Sequence, residues 1–479
     1  MKKRKILSVL AIILSALMIL SAVSCATTVD TDDGDNGAEV TEPVTLKEYD
    51  PSKNVVTQKP VEPVVSVETT EWMDVPGANG NDDWKLPKYE TSSDVIKFLV
   101  HYDVEQPKVD DNSSFRDVYG LRHESIVVPP SERVNKFISM VLSSDPPDIL
   151  MYEFQPQLVN KGYLEPWDSY IDFNLGIWSG IKNSIDNLTF QGGHYSIDAL
   201  GGRWEMVWYN LDIFEEYGHK TPMEYYKEGN WNWDTFRECA KDLTVDLNSD
   251  GTPDIWGCAI ASPSPFVYTT GIDFVSITPD GAISNNMRDE RIARAMNFYI
   301  ELVMRDKCIY LGDDINQMFT RGALAMMING ASAIPHIMDL VKEYKTFFVP
   351  FPRDPGADKY YIAEGFGSNS LAKGAPNPEG SAAYFCSGRY DWLNTDAKVQ
   401  RTDEENFANN GGSNEMNDWL FSEFYKDDLH PALVTWVIFG VSEFWGDIWY
   451  RPTQGEPWAT IAEEVYPRVQ DSIERLLDN

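Results

Sequence analysis

The chain has 479 residues with 75 acidic and 40 basic side chains, which gives a formal charge of -35, and 43% of its residues are hydrophobic. This composition is that of a globular protein, and the length predicts two domains rather than one core. A surface this acidic repels polyanions, which argues against nucleic acid and anionic phospholipid head groups as partners.

Residues 1–25 have the pattern of an export signal. Four basic residues precede an apolar run from Ile6 to Ala22, and a small-residue site follows that ends in Cys25. The run of about 17 residues is short for a membrane-spanning helix. The site resembles a bacterial lipobox, with Ala22 where leucine is usual, which implies cleavage before Cys25 and acylation of its sulfur. Ordinary cleavage with a free thiol and an uncleaved apolar anchor are the alternatives.

The segment 25–93 is rich in Asp, Pro, Val, Thr and Glu and has no helical period. Such a composition predicts a tether that holds the folded part away from a membrane. Trp72, Met73 and Trp84 indicate that the last third of this tether packs on the globular part.

The pattern after residue 94 begins with a strand, a helix and a second strand. The apolar run 95–100 suits a central parallel strand, and Val134, Phe137, Ile138 and Val141 share one face of a helix that stops before the strand 148–151. This order predicts an α/β protein with a doubly wound sheet.

A further helix begins at residue 233. Its apolar face consists of Trp233, Phe236, Ala240 and Leu243, with Asn232 as the expected N-cap. Trp231 and Phe236 have the spacing of a hydrophobic staple.

An acidic loop follows this helix. Asp246, Asn248, Asp250 and Asp254 occupy positions 1, 3, 5 and 9 of a calcium-loop pattern whose sixth residue is glycine. The twelfth position is Gly257 instead of a bidentate glutamate, so binding would be weak. A solvated turn is the alternative to a Ca²⁺ site, and the sequence favours neither.

Several stretches in fixed order resemble family 1 extracellular solute-binding proteins, the receptors of ATP-driven importers that are related to maltose-binding protein. They are the Pro-Asp-Ile of 147–149, LVNKGYLEPWDSYI at 158–171, WYNLDIF at 208–214 with Gly218 and Pro222, the helix and acidic loop of 231–257, and FTRGALAMMING at 319–330.

The resemblance implies a type II periplasmic-binding-protein fold with two discontinuous α/β lobes joined by a hinge. The N-terminal lobe is expected at 94–199 and 347–394, and the C-terminal lobe at 200–346 and 395–479. The chain would cross between lobes near 197–203, 348–352 and 392–396. Gly201 and Gly202 in the first crossing suit either a hinge or a plain loop.

Ligands of open α/β sheets bind beyond the carboxyl ends of strands. A sugar also needs aromatic rings for its C–H faces together with carboxylates and amides for its hydroxyls. The candidates on both grounds are Tyr102, Asp103, Tyr152, Glu153, Gln155, Arg203, Trp204, Phe266, Tyr268, Glu364, Phe366, Trp436, Trp445 and Trp449. For any single tryptophan, packing in a core or at a lobe interface is the more ordinary role.

We find no motif of a catalytic site in the sequence, and the six histidines are scattered. The sequence therefore predicts a binding protein and no enzyme, with no cofactor of its own beyond a possible Ca²⁺. We expect a monomer that is lipid-anchored on the extracytoplasmic face of the cell membrane. It would capture a saccharide and deliver it to an ABC permease.

A surface glycan-capture or sensory lipoprotein, or a glycoside-active enzyme, remains the alternative. Apart from Cys25, the cysteines are expected to be buried free thiols, although an exported protein could pair some of them; they are Cys239, Cys258, Cys308 and Cys386.

Overall fold

A computed structural model describes the chain in part. The described residues are 45–47, 49, 55–56, 64–104, 113–151, 156–179, 181–186, 188–197, 205–330, 341, 344–364, 368–394, 429–433, 444 and 446–477. Within this part, two five-stranded sheets form the centres of two lobes, and each sheet has its own hydrophobic core.

The first lobe is built on a sheet of strand order β3-β2-β4-β16-β5. β2 pairs in parallel with β3 and β4, whereas β16 returns late in the chain and pairs antiparallel with β4 and β5. The strands are β2 (Val95–Val100), β3 (Arg122–Val127), β4 (Ile149–Met151), β5 (Leu164–Glu165) and β16 (Asn369–Ala372). The helices are α1 (Ser114–Asp117), α2 (Arg133–Leu142), α3 (Pro156–Asn160), α4 (Lys182–Asp186) and α11 (Pro378–Leu393), and a hairpin of β6 (Thr189–Phe190) and β7 (Gly193–His194) completes the lobe.

The second lobe is built on a sheet of strand order β12-β9-β13-β8-β14. Its strands are β8 (Glu205–Asn210), β9 (Trp256–Ala259), β12 (Ile309–Tyr310), β13 (Leu324–Gly330) and β14 (Thr346–Pro350). Its helices are α5 (Leu211–Glu216), α6 (Pro222–Lys227), α7 (Trp233–Asp242), α8 (Ser264–Tyr268), α9 (Glu290–Ile300), α10 (Ile315–Thr320), α12 (Arg451–Thr453) and α13 (Trp458–Leu477). π-helical turns at Glu301–Arg305 and Gly446–Tyr450 continue α9 and precede α12.

Two small sheets lie outside these cores. β1 (Val55–Val56), β11 (Ile283–Asn285) and β10 (Val275–Ile277) form an antiparallel sheet in the second lobe. β15 (Tyr360–Glu364) pairs in parallel with β17 (Leu429–Leu433).

From residue 95 onward, the described parts of the chain show three passages between the two lobes. The first transfer lies between Ile197 and Glu205, the second between Pro350 and Asn369, and the third after Leu393. The lobe boundary expected at residue 347 falls inside β14, which pairs with β8 of the second lobe along its whole length. The return to the first lobe therefore comes after Pro350, because β14 completes the second sheet before the chain leaves it.

The helix that begins at Trp233 forms as the sequence predicts. Asn232 accepts hydrogen bonds from the backbone N–H groups of Asp234 and Thr235, and the Asn232 N–H donates to the hydroxyl of Thr235, which completes a capping box. Trp231 packs edge-on against Phe236, with the two ring centroids 6.1 Å apart, as a hydrophobic staple requires.

The other elements predicted in the first lobe are also present. The strand 95–100, the helix that carries Phe137 and the strand predicted at 148–151 lie where their patterns place them, and the last of these begins one residue later, at Ile149. The four cysteines of the described chain are buried and free, as expected.

Candidate functional site

The first lobe presents one edge of its sheet to the first transfer between lobes. β2 and β4 run in parallel and end at Val100 and Met151, and the antiparallel β16 begins opposite Met151 at Asn369. Ile197, the last described residue before the transfer, exchanges both backbone hydrogen bonds with Asn369 at 3.1 Å. The carboxyl ends of the parallel strands therefore lie beside the point where the chain leaves this lobe.

The second lobe receives the chain at the corresponding edge of its own sheet. β8 begins at Glu205, and the antiparallel β13 ends opposite it at Gly330. β9 is parallel to β13 and ends at Ala259, so the segment that follows, including α8, lies at this same edge. The two edges are the places where a ligand of two α/β lobes is expected to bind.

Glu205 is the first residue of β8 and carries the most unusual carboxyl group of this edge. Its Oε2 atom is inaccessible to solvent and has no hydrogen-bond partner among the described residues. Burial raises the pKa of Glu205 to about 7, because the low-dielectric surroundings disfavour the charged form. A buried carboxyl without a partner is able to accept hydrogen bonds from a bound molecule.

One residue of α8, Tyr268, is near enough to this carboxyl for the two groups to interact electrostatically. Burial, followed by the carboxyl groups of Asp273 and Glu205, raises the pKa of Tyr268 well above its ordinary value, so the phenol stays neutral. At the other end of α8, the hydroxyl of Ser264 accepts a hydrogen bond of 3.0 Å from Nε1 of Trp449. The Trp449 side chain remains 38% exposed, so its indole ring is fixed at one end and open to solvent elsewhere.

The first lobe contributes a second, smaller group of side chains. Tyr102 follows β2, is 40% exposed and stands edge-on to His101, with the ring centroids 4.9 Å apart. Nδ1 of His101 lies 2.7 Å from Nη1 of the buried Arg133. Burial and the nearby guanidinium lower the pKa of His101, so the neutral imidazole accepts this hydrogen bond. Asp103 is exposed beside Tyr102.

The structure places the predicted site residues differently. Tyr102 and Asp103 follow β2 at the first edge, and Trp449 contacts α8 beside the second edge. Tyr268 lies in α8 and is only 3% exposed. Phe266 instead lies fully buried in the core of the second lobe, where its ring packs 4.9 Å from that of Phe351. The backbone of Glu364 ends β15. The other predicted residues lie outside the described part of the chain; they are Cys25, Tyr152, Glu153, Gln155, Arg203, Trp204, Phe366, Trp436 and Trp445.

Sequence reasoning overlooked Glu205 and Ser264. Glu205 follows the predicted crossing and comes directly before the apolar run 206–209. The available signal was therefore an acidic residue at the start of a buried strand. Nothing in the sequence distinguishes Ser264, since its role depends on contact with Trp449, 185 residues further along the chain.

The acidic loop is closed by hydrogen bonds between its own side chains and backbone. Asp246 accepts from the N–H groups of Ser249, Asp250 and Gly251, and the loop ends pair at Val245 and Ile255. A Cβ atom on Gly257 would lie 1.7 Å from the carbonyl oxygen of Ala240 in α7. Helix–strand packing therefore requires glycine at the twelfth position, where a glutamate ligand would be needed.

Among the described residues, possible metal ligands also come close together in the second lobe. One group of three has all its ligand atoms within 4.8 Å of one another, namely His219, Glu238 and Asp242. Each of the three already has a protein partner, since His219 Nε2 lies 3.5 Å from Asp242 Oδ2 and Glu238 accepts from Tyr225. Calcium binding by the acidic loop stays a prediction.

The fold and the position of these edges define a two-lobed binding protein. The sequence pattern of the bacterial extracellular solute-binding protein family matches residues 125–398, which is more than half of the chain. The chain belongs to this family, whose members are binding proteins that work outside the cytoplasm. No curated protein matches the chain. Among the described residues, no helix has the length and apolar character that crossing a membrane requires.

Solved structures show the same fold at low sequence identity. The ABC substrate-binding protein of Listeria monocytogenes in complex with cycloalternan is 14% identical, with 79% of this chain and 99% of that chain covered and a TM-score of 0.55. The cyclic α-maltosyl-1,6-maltose-binding protein of Arthrobacter globiformis is 14% identical, with 80% and 99% covered and a TM-score of 0.56. The maltose/maltodextrin-binding domain of Bdellovibrio bacteriovorus bound to maltotriose is 17% identical, with 79% and 100% covered and a TM-score of 0.52.

Proposed function

We propose that the protein captures a sugar or an oligosaccharide between its two lobes and delivers it to an ABC permease. The observation that carries this proposal is the group formed by Glu205, Tyr268, Ser264 and Trp449 beside the first transfer. It combines a partly exposed indole with a buried carboxyl oxygen, Oε2 of Glu205, that has no partner among the described residues. Solved relatives of the same fold carry cycloalternan and maltotriose, which agrees with a saccharide ligand.

Each part of this group suits one part of a sugar. The flat C–H face of a pyranose ring packs on an indole, and the Nε1 bond to Ser264 holds the Trp449 ring in place before the ligand arrives. Sugar hydroxyls donate to carboxylates, and a charge-assisted bond to Glu205 would offset the cost of burying that group. Tyr102 and Asp103 at the edge of the first lobe would complete the contact when the lobes close.

The mechanism is an equilibrium between open and closed lobes. A ligand that touches both edges stabilises the closed form by the difference in its affinity for the two forms, and a permease that contacts both lobes distinguishes them. Hydrolysis of ATP belongs to the partner. Acylation of Cys25 would keep the receptor close to that permease and raise its effective concentration there.

A thermal-shift screen of the protein tests the ligand class. The panel is maltotriose, lacto-N-biose, glycerophosphocholine, amino acids and short peptides. A ligand that binds only the native state raises apparent stability by about 2.7 kcal/mol at a hundredfold excess over its Kd. A shift with saccharides and no product after prolonged incubation supports the proposal. Consumption of the sugar would identify an enzyme, and no shift with any sugar would contradict sugar capture.

Two variants then test the site with the sugar found in that screen. Trp449→Ala and Glu205→Gln are each expected to raise the Kd by about tenfold, because they remove a stacking surface and a charge-assisted hydrogen bond. Trp392→Ala is the matched control, since Trp392 is similarly exposed at 43% and lies at the end of α11. Unchanged affinity in both site variants would remove this group from the binding site. Trp204→Ala and Tyr152→Ala should also weaken binding.

A further inference from the structure

The N-terminal segment 45–90, here called the strap, is attached to both lobes. Tethers between a lipid anchor and a globular domain need no contact with that domain, and their composition favours extended, solvated chain. The described parts of the strap behave differently, because they contribute side chains to two separate hydrophobic cores. Leu46 and Val56 pack on the core of the second lobe, whereas Ala78 and Leu86 belong to the core of the first.

The attachment to the second lobe combines a strand with specific polar contacts. β1 pairs antiparallel with β11 and extends the small sheet of this lobe by one strand. The backbone N–H of Lys47 donates to Glu463 at 3.0 Å, and the Tyr49 hydroxyl donates to Asn286 at 2.8 Å.

The attachment to the first lobe is more extensive. The N–H of Val67 donates to the carbonyl of Asp168 at 2.8 Å, and the N–H of Thr69 donates to the Asp172 carboxylate at 3.1 Å. Further along, Ala78 and Leu86 have no exposed surface. Removing residues 64–90 would therefore open the core of this lobe.

The two attachments lie on either side of a direct contact between the lobes. The N–H of Gly192 donates a hydrogen bond of 3.0 Å to the carbonyl of Pro279. Gly192 lies in the turn of the β6–β7 hairpin of the first lobe, and Pro279 lies in the turn between β10 and β11 of the second. Val56, the last residue of β1, pairs with Ile283, which follows this second turn. On the other side, Val64 packs on the hairpin so closely that a Cβ on Gly193 would lie 2.7 Å from Val64 Cγ2.

We propose that the strap is a fourth connection between the lobes, which limits how far they separate at the contact between Gly192 and Pro279. The three transfers of the chain allow a hinge motion, and the strap restricts it because its two ends are fixed to different lobes. A fully extended chain spans about 3.6 Å per residue, so the eight steps from Val56 to Val64 span at most about 29 Å. Separation of the attachment points beyond that length requires β1 to detach.

Lengthening the strap tests this proposal without touching either attachment. An insertion of about 12 Gly and Ser residues between Gln58 and Lys59 lengthens the connection but leaves β1 and Val64 intact. The distance between the lobes is measured on the full chain by pulsed electron paramagnetic resonance, with spin labels at Lys136→Cys in α2 and Lys241→Cys in α7. Both positions are exposed, and the four described native cysteines are buried. We expect a longer mean distance and a broader distribution in the absence of ligand.

The matched control is the same insertion between Val44 and Thr45, outside the strap, which should leave the distribution unchanged. A second variant, Val56→Asp, weakens the attachment at β1 and should shift the distribution in the same direction as the insertion. An unchanged distribution in both variants would overturn the proposal, and so would a shift of equal size in the control. The measurement needs no ligand, so its result is independent of the sugar proposed above.

Discussion

Asp148 shows how one residue of a family motif acts on the fold. The carboxylate is almost fully buried, and it accepts the N–H of Lys97 in β2 at 2.7 Å and the N–H of Asn377, the N-cap of α11, at 2.5 Å. Burial raises the pKa of Asp148, and these two backbone donors oppose that change. The Pro-Asp-Ile motif therefore joins the centre of the first sheet to a helix more than 200 residues further along the chain.

Asp148→Asn should destabilise the protein by about 1 to 3 kcal/mol, because the amide places an N–H group opposite one of two backbone donors. Asp145→Asn, at an exposed position three residues earlier, is the control and should have no measurable effect. Chemical denaturation of both variants measures the difference. Equal stability of Asp148→Asn and the parent would mean that the two hydrogen bonds contribute nothing net.

Glu205→Gln should have an effect on stability that depends on pH. The folded carboxyl holds its proton up to a pKa of about 7, whereas the unfolded chain releases it near the ordinary value of 4.5. The contribution of this group to stability is therefore fully present below pH 4.5 and is lost as the pH rises through 7. Glutamine is neutral throughout, so we expect the variant to be more stable than the parent by about 1 to 3 kcal/mol at pH 8 and equally stable at pH 4.

Thermal unfolding at the two pH values provides the measurement, and Glu216→Gln, at an exposed position, provides the control. A gain in stability together with the expected loss of affinity is the pattern of a residue retained for binding. A variant less stable than the parent at pH 8 would show that the carboxylate is ionised and satisfied in the folded protein.

At the scale of elements, α7 and its acidic loop show which structural features depend on local sequence and which depend on tertiary packing. The cap, the staple and the apolar face of the helix are all local patterns, and the structure confirms each of them. The requirement for glycine at position 257 comes from tertiary packing, because β9 passes too close to α7 for any side chain there. The departure from a complete calcium loop is therefore required by packing.

Titration calorimetry after chelation tests the loop itself. If the loop binds calcium, the missing glutamate should leave only weak affinity, so we expect heat at millimolar Ca²⁺ that Asp246→Asn abolishes. Asp234→Asn, at an exposed acidic residue of α7, should leave the heat unchanged. No heat at millimolar calcium would show that the loop is a solvated turn.

At the scale of the whole molecule, Cys25→Ser tests the lipid anchor. Without the thiol no acyl chain can be attached, so we expect the variant to leave the membrane fraction and appear in the soluble fraction. Thr27→Ser, two residues further on, keeps the thiol and should stay with the membranes. Retention of Cys25→Ser in the membrane fraction would show that the apolar run 6–22 is itself the anchor.

The sequence alone determined the family, the α/β class and the position of most elements. Apolar periodicity and capping residues act within one or two turns of a helix or along one strand, so they are readable without the fold. The aromatic residues, together with carboxylates and amides, predicted a sugar as the ligand, and this stays a prediction. The sequence could not separate Phe266, which packs in a core, from Trp449, which remains 38% exposed.

Only the tertiary structure decided which residues meet. Ser264 is brought to Trp449 and Asp148 to Asn377 by strands that return from distant parts of the chain. Only the last third of the tether was expected to pack on the globular part. The attachment of the strap to both lobes depends on β11 and the β6–β7 hairpin, which no local pattern specifies. Contacts between segments far apart in sequence follow from the packing of whole lobes, and that is why the sequence predicted the elements but not their meeting points.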